Sequence, residues 1–175
     1  DGNGVSEGNL GRALQGNSDG LVISTKVGLS NDDLSDVYGA ITRSLDASLT
    51  RLRLDHVDVF QLHNTLGRTD FRGTLTIDQI MDAVVPAFDK LRDTGKVRFL
   101  GFTAKGEADD VHKLVSCGVF HSAQVFYNLL VPSAGEPIAA NYPSDDYKLL
   151  LETAKDHGVG AIGVRVLAGG ASCGS

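Results

Sequence analysis

Short apolar segments typical of strands alternate with longer amphipathic segments typical of helices along most of this chain. The predicted strands are residues 21–26, 57–62, 97–103, 122–130 and 160–167. They recur about every 25 to 40 residues with a helical pattern between them, which predicts a parallel sheet with right-handed crossovers, in a barrel or a doubly wound arrangement. Residues 64–75 and 131–144 carry neither pattern. Both follow strands and are long for such connections, so we expect functional loops there.

The helical patterns cover residues 6–14, 32–52, 77–96, 107–118 and 146–158. Ser6 is the predicted cap of the first helix, and Asn31 or Asp32 is the predicted cap of the second. Pro86 lies inside the third pattern. Because proline lacks a backbone N–H, it predicts either a kink or the first turn of a new helix.

The composition limits the classes of function. The chain has 175 residues, of which 42% are hydrophobic, and a formal net charge of −6. No cluster of Lys and Arg stands out, which argues against a nucleic-acid or anionic-membrane partner. No apolar run approaches the roughly 20 residues that span a bilayer. Cys117 and Cys173 are not spaced like metal ligands. We therefore expect both to be free thiols in a reducing, cytoplasmic compartment. His56 and Asp58 alternate on one strand without a third ligand, so we expect no metal site.

Residues 158–163 match the pattern G-x-G-x-x-G, which occurs in dinucleotide-binding sheets. That fingerprint requires the glycines to lie after a strand and before a helix. Here they follow a predicted helix and run into a predicted strand. We therefore interpret them as a helix stop with close helix–strand packing.

Polar side chains occur at or near the carboxyl end of every predicted strand. In chain order they are Lys26, His63 with Asn64, Thr103, Gln124 with Asn128, and Arg165. Because the carboxyl ends of parallel barrel strands gather on one face, we expect these residues to form a ring at an active site. A single strand-end histidine such as His63 is equally explained by a hydrogen bond to a nearby carbonyl. Several buried polar groups without a purpose would be costly, and this favours the ring.

The chain resembles the aldo-keto reductase family in the segments GNGVSEGNLGRAL, VISTKVG, SLDASLTRLRLDHVDVFQLH, LRDTGKVRFLGFT, SAQVFYNLL and VLAGG. The most specific feature is S-L-x-x-S-L-x-R-L followed by H-V-D-V-F-Q-L-H. The resemblance implies an α/β fold of the TIM (β/α)8 barrel type, present here as an incomplete barrel with strands three to seven. It also implies an oxidoreductase that interconverts a carbonyl and an alcohol with NADP, with NAD as the alternative cofactor.

The family uses an Asp, a Tyr, a Lys and a His in catalysis. The resemblance assigns the lysine to Lys26 and the histidine to His63. A lysine ammonium can lower the pKa of a nearby tyrosine that serves as proton donor, and the histidine can orient the substrate oxygen. The tyrosine position falls at Asp1 or one residue upstream, and the aspartate position falls earlier still.

The resemblance implies a set of residues for cofactor binding: Thr103, Gln124, Leu167, Gly169 and Gly170. Gln124 matches the glutamine that binds the nicotinamide amide, and the last three lie in the turn beside the pyrophosphate, where small residues let backbone N–H groups approach phosphate. Thr103 keeps the hydroxyl of a Ser-Asn pair found in many members, but Ala104 replaces the amide. Val164 stands where many members place an aromatic ring.

The expected partner is a small-molecule carbonyl or alcohol, and the sequence indicates neither its identity nor an oligomeric state. We expect residues 1–175 to be one domain truncated at both ends and inactive alone, because the tyrosine and the eighth strand are not matched. An alternative is a cofactor-binding regulatory subunit on the same fold. A metal-dependent barrel hydrolase is a third reading, against which the lack of H-x-H argues.

Overall fold

The computed structural model describes residues 3–16, 19–68 and 73–168. The strands, in chain order, are β1 (Ser24–Val27), β2 (Val57–Leu62), β3 (Thr65–Leu66), β4 (Thr74–Leu75), β5 (Val97–Ala104), β6 (Ser122–Phe126) and β7 (Gly160–Val164). The α-helices are α1 (Val5–Ala13), α2 (Val37–Leu52), α3 (Ile77–Gln79), α4 (Val85–Arg92), α5 (Ala108–Ser116) and α6 (Leu150–Asp156). A 3₁₀ turn covers Asn31–Ser35, and a π-helical turn covers Ile80–Val84.

The five longer strands form one parallel sheet in the order β1-β2-β5-β6-β7. This order follows the chain, as it does in a barrel, and the predicted parallel sheet is confirmed. The boundaries differ at the ends: β1 begins at Ser24 rather than at residue 21, and β7 ends at Val164 rather than at residue 167. The predicted loop 64–75 contains a small second sheet in which β3 pairs with β4.

Two of the predicted helix caps are wrong. α1 begins at Val5 after Gly4, whose φ of 90° sets the turn into the helix, so Ser6 lies inside the helix rather than at its cap. The cap of α2 is Asp36, whose carboxylate accepts a hydrogen bond from the backbone N of Gly39. The 3₁₀ turn ahead of α2 takes up the segment in which a cap was expected.

Pro86 lies in the first turn of α4, directly after the π-helical turn. A proline cannot donate to the carbonyl four residues before it, and a wider π turn accommodates such a missing hydrogen bond. The first-turn alternative for Pro86 is therefore confirmed.

The two faces of the sheet carry different residues. The helix-facing side holds fully buried apolar side chains, among them Phe60, Leu62, Leu100, Phe102 and Val125. On the other face, the parallel register pairs Lys26 with Gln61, Gln61 with Gly101, and Gly101 with Ser122. Side chains paired in this way share a face, and in a closed barrel that face lines the interior.

Within the described residues, β1 pairs with β2 alone and β7 pairs with β6 alone, so the sheet is open at both edges. On the inner face Phe99 is 43% exposed and Ile162 is 41% exposed. These are the features expected of an incomplete barrel.

The G-x-G-x-x-G segment runs from the end of α6 into β7, as predicted. Gly158 has a φ of 68°, which suits the residue after a helix. In the described ranges, the helices are all too short or too polar to cross a bilayer.

Candidate active site

Lys26 and His63 line one cleft at the carboxyl ends of β1 and β2. The backbone N of His63 donates to the carbonyl of Val27 at 2.8 Å, and this bond holds the two strand ends side by side. The cleft has a volume of about 380 Å³ and also touches Glu7 and Arg51. The side chains of Lys26 and His63 are exposed, so a small molecule can reach both.

A row of hydrogen bonds connects His63 to the next two strands. The Nδ1 atom of His63 lies 2.8 Å from the hydroxyl of Thr103, which is almost fully buried at the end of β5. The Thr103 hydroxyl donates to Oε1 of Gln124 at 3.3 Å. The register of the sheet places Thr103 directly opposite Gln124, so the row crosses three neighbouring strands at one level.

Partial burial of its ring lowers the pKa of His63 below the usual value, and the positive charges of Lys26 and Lys105 lower it further. The side chain is exposed at the cleft, but its Nδ1 edge contacts the buried Thr103. Both effects favour the neutral form of the imidazole.

Asn64, which the sequence placed in the same ring, has a different position. Its Nδ2 group donates to the carbonyls of Leu29 and Gly73 at 2.8 and 3.0 Å, and its Oδ1 accepts from the backbone N of Leu29 at 2.9 Å. The side chain is only 2% exposed. Asn64 thus connects the loops that follow β1 and β2, and it supports the cleft without facing it.

Glu7 on α1 was missed by the sequence reasoning. Its carboxylate accepts hydrogen bonds from the hydroxyl of Thr25 and from Nε of Arg51, the latter at 2.6 Å. Burial raises the pKa of Glu7, but hydrogen bonds from Thr25, Arg51 and Ser48 together lower it below its usual value. These contacts fix α1 against β1 and α2 beside Lys26. The partners lie 18 and 44 residues away along the chain, so no local pattern indicates them.

A second polar layer lies on the inner face beside this row. Gln61 is fully buried, and its Nε2 donates to the hydroxyl of Ser24 at 2.6 Å. Its Oε1 and the hydroxyl of Ser122 are buried without a hydrogen-bond partner. Gly101 lies between them: a Cβ there would be 2.5 Å from the Ser122 hydroxyl. The same Cβ would lie 3.0 Å from Cγ of Gln61, so a larger residue at position 101 would require both polar side chains to shift.

The residues at the end of β7 form a separate group. Nδ2 of Asn128 donates to the carbonyl of Arg165 at 3.0 Å, and the Arg165 guanidinium lies over the ring of Phe126. Leu167 is 59% exposed just beyond β7, and Val164 is partly buried at its end. The structure brings neither Asn128 nor Arg165 into hydrogen-bond contact with His63. Gly169 and Gly170 lie outside the described residues.

Two histidines away from the cleft hold neighbouring elements of the fold together. The ring of His112 bonds the carbonyl of Tyr147 and the hydroxyl of Thr153, and so links α5 to α6. Nδ1 of His121 accepts from the backbone N of Leu100 at 3.2 Å. The structure groups no three His, Cys, Asp or Glu side chains for a metal ion in the part of the chain that it describes.

These features define a sheet of the α/β barrel type with a polar cleft at its carboxyl edge. The model of the Aldo/keto reductase family matches residues 2–174, and the chain belongs to that family. The resemblance seen in the sequence is thereby confirmed.

Relatives and solved structures agree with this assignment. L-galactose dehydrogenase from Arabidopsis thaliana is 34% identical over 102 residues, which are 57% of this chain and 30% of that protein. Among solved structures, the holo form of aldo-keto reductase AKR11C1 from Bacillus halodurans has a TM-score of 0.68 at 21% identity, over 93% of this chain and 48% of that one. An aldo/keto reductase from Klebsiella pneumoniae, in complex with NADP and acetate, has a TM-score of 0.66 at 22% identity, over 97% of this chain and 51% of that one. The chain spans about half the length of these structures, and their fold confirms the aldo-keto reductase barrel, present here as part of a barrel.

Proposed function

We propose that this chain forms part of an oxidoreductase that interconverts a small carbonyl compound and its alcohol by hydride transfer with NADP(H), with NAD as the alternative. The observation that carries the proposal is the grouping of Lys26, His63, Thr103 and Gln124 at one edge of the sheet of an aldo/keto reductase family member. Two of the similar solved structures are complexes with NADP and NADPH. One relative is named as a dehydrogenase of L-galactose.

The residues of the row suit a nicotinamide cofactor. When bound, the cofactor would exchange a hydride with the substrate carbon. Its carboxamide carries one acceptor oxygen and one donor NH₂ group, and the amide of Gln124 with the hydroxyl of Thr103 offers complementary groups beside each other. We assign the pyrophosphate to Leu167, Gly169 and Gly170, of which the last two lie outside the described residues.

Lys26 and His63 take the catalytic roles in this proposal. The neutral imidazole of His63 holds the substrate oxygen through a hydrogen bond, and the exposed Nζ of Lys26 places a positive charge in the same cleft. That charge favours the ionised form of a neighbouring acidic group and so tunes a proton donor. The described residues that line the cleft include no tyrosine, so we assign the donor to none of them.

The test is a Lys26→Met variant of the intact protein, assayed by cofactor absorbance with a panel of aldehydes and aldoses. Because general acid catalysis supplies about 100- to 10,000-fold in rate, we expect turnover to fall by about 100-fold or more, with a much smaller change in cofactor affinity. Lys155→Met, at an exposed position on α6, is the matched control and should keep both values. Unchanged turnover in Lys26→Met would contradict the assigned mechanism.

The same assay distinguishes the proposed enzyme from the alternative, a cofactor-binding regulatory subunit. An intact protein that binds NADPH tightly but turns over none of the carbonyl compounds would be a cofactor-binding regulatory subunit. A cytoplasmic location is part of the proposal and is supported by Cys117, which is a free thiol.

A further inference from the structure

His63 borders a second cleft, which lies between the loops that follow β1, β2 and β5. This cleft has a volume of about 340 Å³ and is lined by residues 28–30 and 63–65, by Gly73 and by Lys105, and we call it the Lys105 cleft. Gly28 and His63 line this cleft and also the cleft of Lys26, so the two clefts meet at His63. A molecule that reacts beside His63 can therefore extend its remaining atoms into the Lys105 cleft.

Two of the polar side chains that line the Lys105 cleft are already used by the fold. The amide of Asn64 bonds backbone groups of two loops. The hydroxyl of Ser30 donates to a carboxylate of the 3₁₀ turn at 2.7 Å. Besides His63, this leaves Thr65 and Lys105 to contact a ligand. Among the described residues that line the cleft, Lys105 is the only lysine, arginine, aspartate or glutamate.

Lys105 is a partly buried lysine that forms no ion pair with any residue that the structure describes. Lys96, Lys113 and Lys148, by contrast, each form an ion pair with an aspartate. Lys105 also borders a neighbouring cleft that holds the side chains of Glu107 and an aspartate, but it pairs with neither. Because taking an ammonium group out of water without a partner costs free energy, an anion that pairs with Lys105 is stabilised there.

A second cation adds to this effect. Lys26 lies in the adjoining cleft and, within the described ranges, forms no ion pair either. The positive charges of both lysines act on His63, whose pKa they lower. The chain as a whole is acidic, with a formal net charge of −6, so the positive potential around His63 is a local feature. A cleft whose charges have one sign attracts ligands of the opposite sign.

We propose that Lys105 determines substrate specificity by binding an anionic group, a carboxylate or a phosphate, that is carried by the substrate reacting beside His63. The assignment of the anion to a substrate rests on the proposed function, whereas the anion site itself rests on the geometry of the Lys105 cleft. A lysine is a compact charge on a flexible stem, so it accommodates either group. The residues assigned to the cofactor pyrophosphate follow β7, whereas Lys105 follows β5, two strands away in the sheet. The two anions therefore have separate sites.

The first experiment compares ligands that differ in one charged group. Lactate and lactamide form the carboxylate pair, and glycerol 3-phosphate and glycerol form the phosphate pair. Each ligand is titrated into the intact protein without cofactor and followed by the ¹H–¹⁵N NMR signals of the His63 ring, which are identified by their loss in His63→Gln. We expect the anion of at least one pair to bind about 10-fold or more tightly than its neutral partner, because hydrogen bonds that involve a charged group are the stronger ones. The pair that shows the preference identifies the anionic group.

Substitutions of Lys105 test its role in this preference. Lys105→Met should abolish the preference, and Lys105→Arg, which keeps the charge, should retain it. Both variants keep the backbone carbonyl at position 105, which accepts a hydrogen bond from the N of Leu66 at 2.7 Å, so the fold beside the cleft is preserved. Lys155→Met, at an exposed position on α6, is the control and should behave like the wild-type protein.

Equal binding within both pairs, zero included, would overturn the proposal, as would a preference that persists in Lys105→Met. A titration with NADPH, followed by its fluorescence, tests whether Lys105 binds the cofactor instead. The affinity for NADPH should be the same in Lys105→Met as in the wild-type protein, and a loss of about 10-fold or more would assign Lys105 to the cofactor and overturn the proposal. The anion titrations need neither cofactor nor turnover. A protein that shows the anion preference but reduces no carbonyl compound would contradict the proposed function and leave the anion site standing.

Discussion

Gly106 is the position where the fold around the cleft is most sensitive to one added methyl group. It follows β5 with a φ of 117°, a conformation that costs about 1–3 kcal/mol for a residue with a side chain. A Cβ at this position would lie 1.8 Å from the carbonyl oxygen of Leu66 in β3. Because that atom is backbone, the clash cannot be relieved by a rotamer change, and β3 would have to move away from β5.

Such a movement breaks the backbone hydrogen bonds that hold β3. The N of Leu66 donates to the carbonyl of Lys105 at 2.7 Å, and the N of Glu107 donates to the carbonyl of Leu66 at 2.9 Å. Each such bond contributes about 0.5–1.5 kcal/mol net. Together with the backbone strain, we expect Gly106→Ala to lower the free energy of unfolding by about 2–6 kcal/mol.

Equilibrium unfolding in urea, followed by far-UV circular dichroism, measures this loss. With slopes typical of small proteins, the midpoint should fall by about 1 M or more. Gly118→Ala is the matched control, because Gly118 also has a positive φ, of 78°, but a Cβ there meets nothing within 4 Å. It should show only the strain of about 1–2 kcal/mol. If the two variants agree within about 0.5 kcal/mol, the contact with Leu66 does not contribute as argued.

Three further predictions concern the same region. Residues 1–175 alone should show no robust carbonyl reduction in a cofactor-absorbance assay. General acid catalysis raises the rate by about 100- to 10,000-fold, and the described cleft residues include no tyrosine to donate the proton. Robust turnover would refute this. The pKa of His63 is lowered on folding, so the stability that neutral His63 contributes is present above the unfolded pKa of about 6.5 and is lost as the pH falls through the folded pKa. The free energy of unfolding should therefore rise with pH between pH 5 and about 7.5 in the wild-type chain and in the control His157→Gln, which changes an exposed histidine. The rise should be absent in His63→Gln. Asn64→Ala should lower the free energy of unfolding by about 2–4 kcal/mol in urea, because three hydrogen bonds are lost and buried backbone groups stay unpaired; a loss below about 0.5 kcal/mol would show that the loops hold without it.

The sheet was predictable from the sequence because strand and helix patterns differ in period, and because alternating elements admit few topologies. The caps were less predictable. Ser6, Asn31 and Asp32 each have a suitable side chain, but capping depends on where the preceding turn ends. Gly4 and the 3₁₀ turn Asn31–Ser35 determine where each helix begins. Neither segment shows a periodic pattern of apolar residues from which it could be predicted.

The candidate site was predictable only in part, for a related reason. Lys26 and His63 stand at strand ends, so strand prediction alone brings them to one edge of the sheet. Asn64 stands at the same strand end, yet it turns to backbone groups of two loops, and the difference depends on contacts 35 residues away along the chain. Glu7 has its partners on β1 and α2, and a single sequence holds no signal for such pairs.

The alternation of side chains along the strands explains which polar residues share the cleft. β2 is buried along its whole length, so its pattern does not show which side of the sheet each residue faces. Once the register is known, Gln61 and His63 fall on the same face as Thr103 and Gln124, since successive residues of a strand point to opposite sides. A slip of one residue between β5 and β6 would turn Gln124 toward the helices and leave Thr103 without its acceptor. The register of this sheet therefore determines the row of hydrogen bonds that joins His63, Thr103 and Gln124.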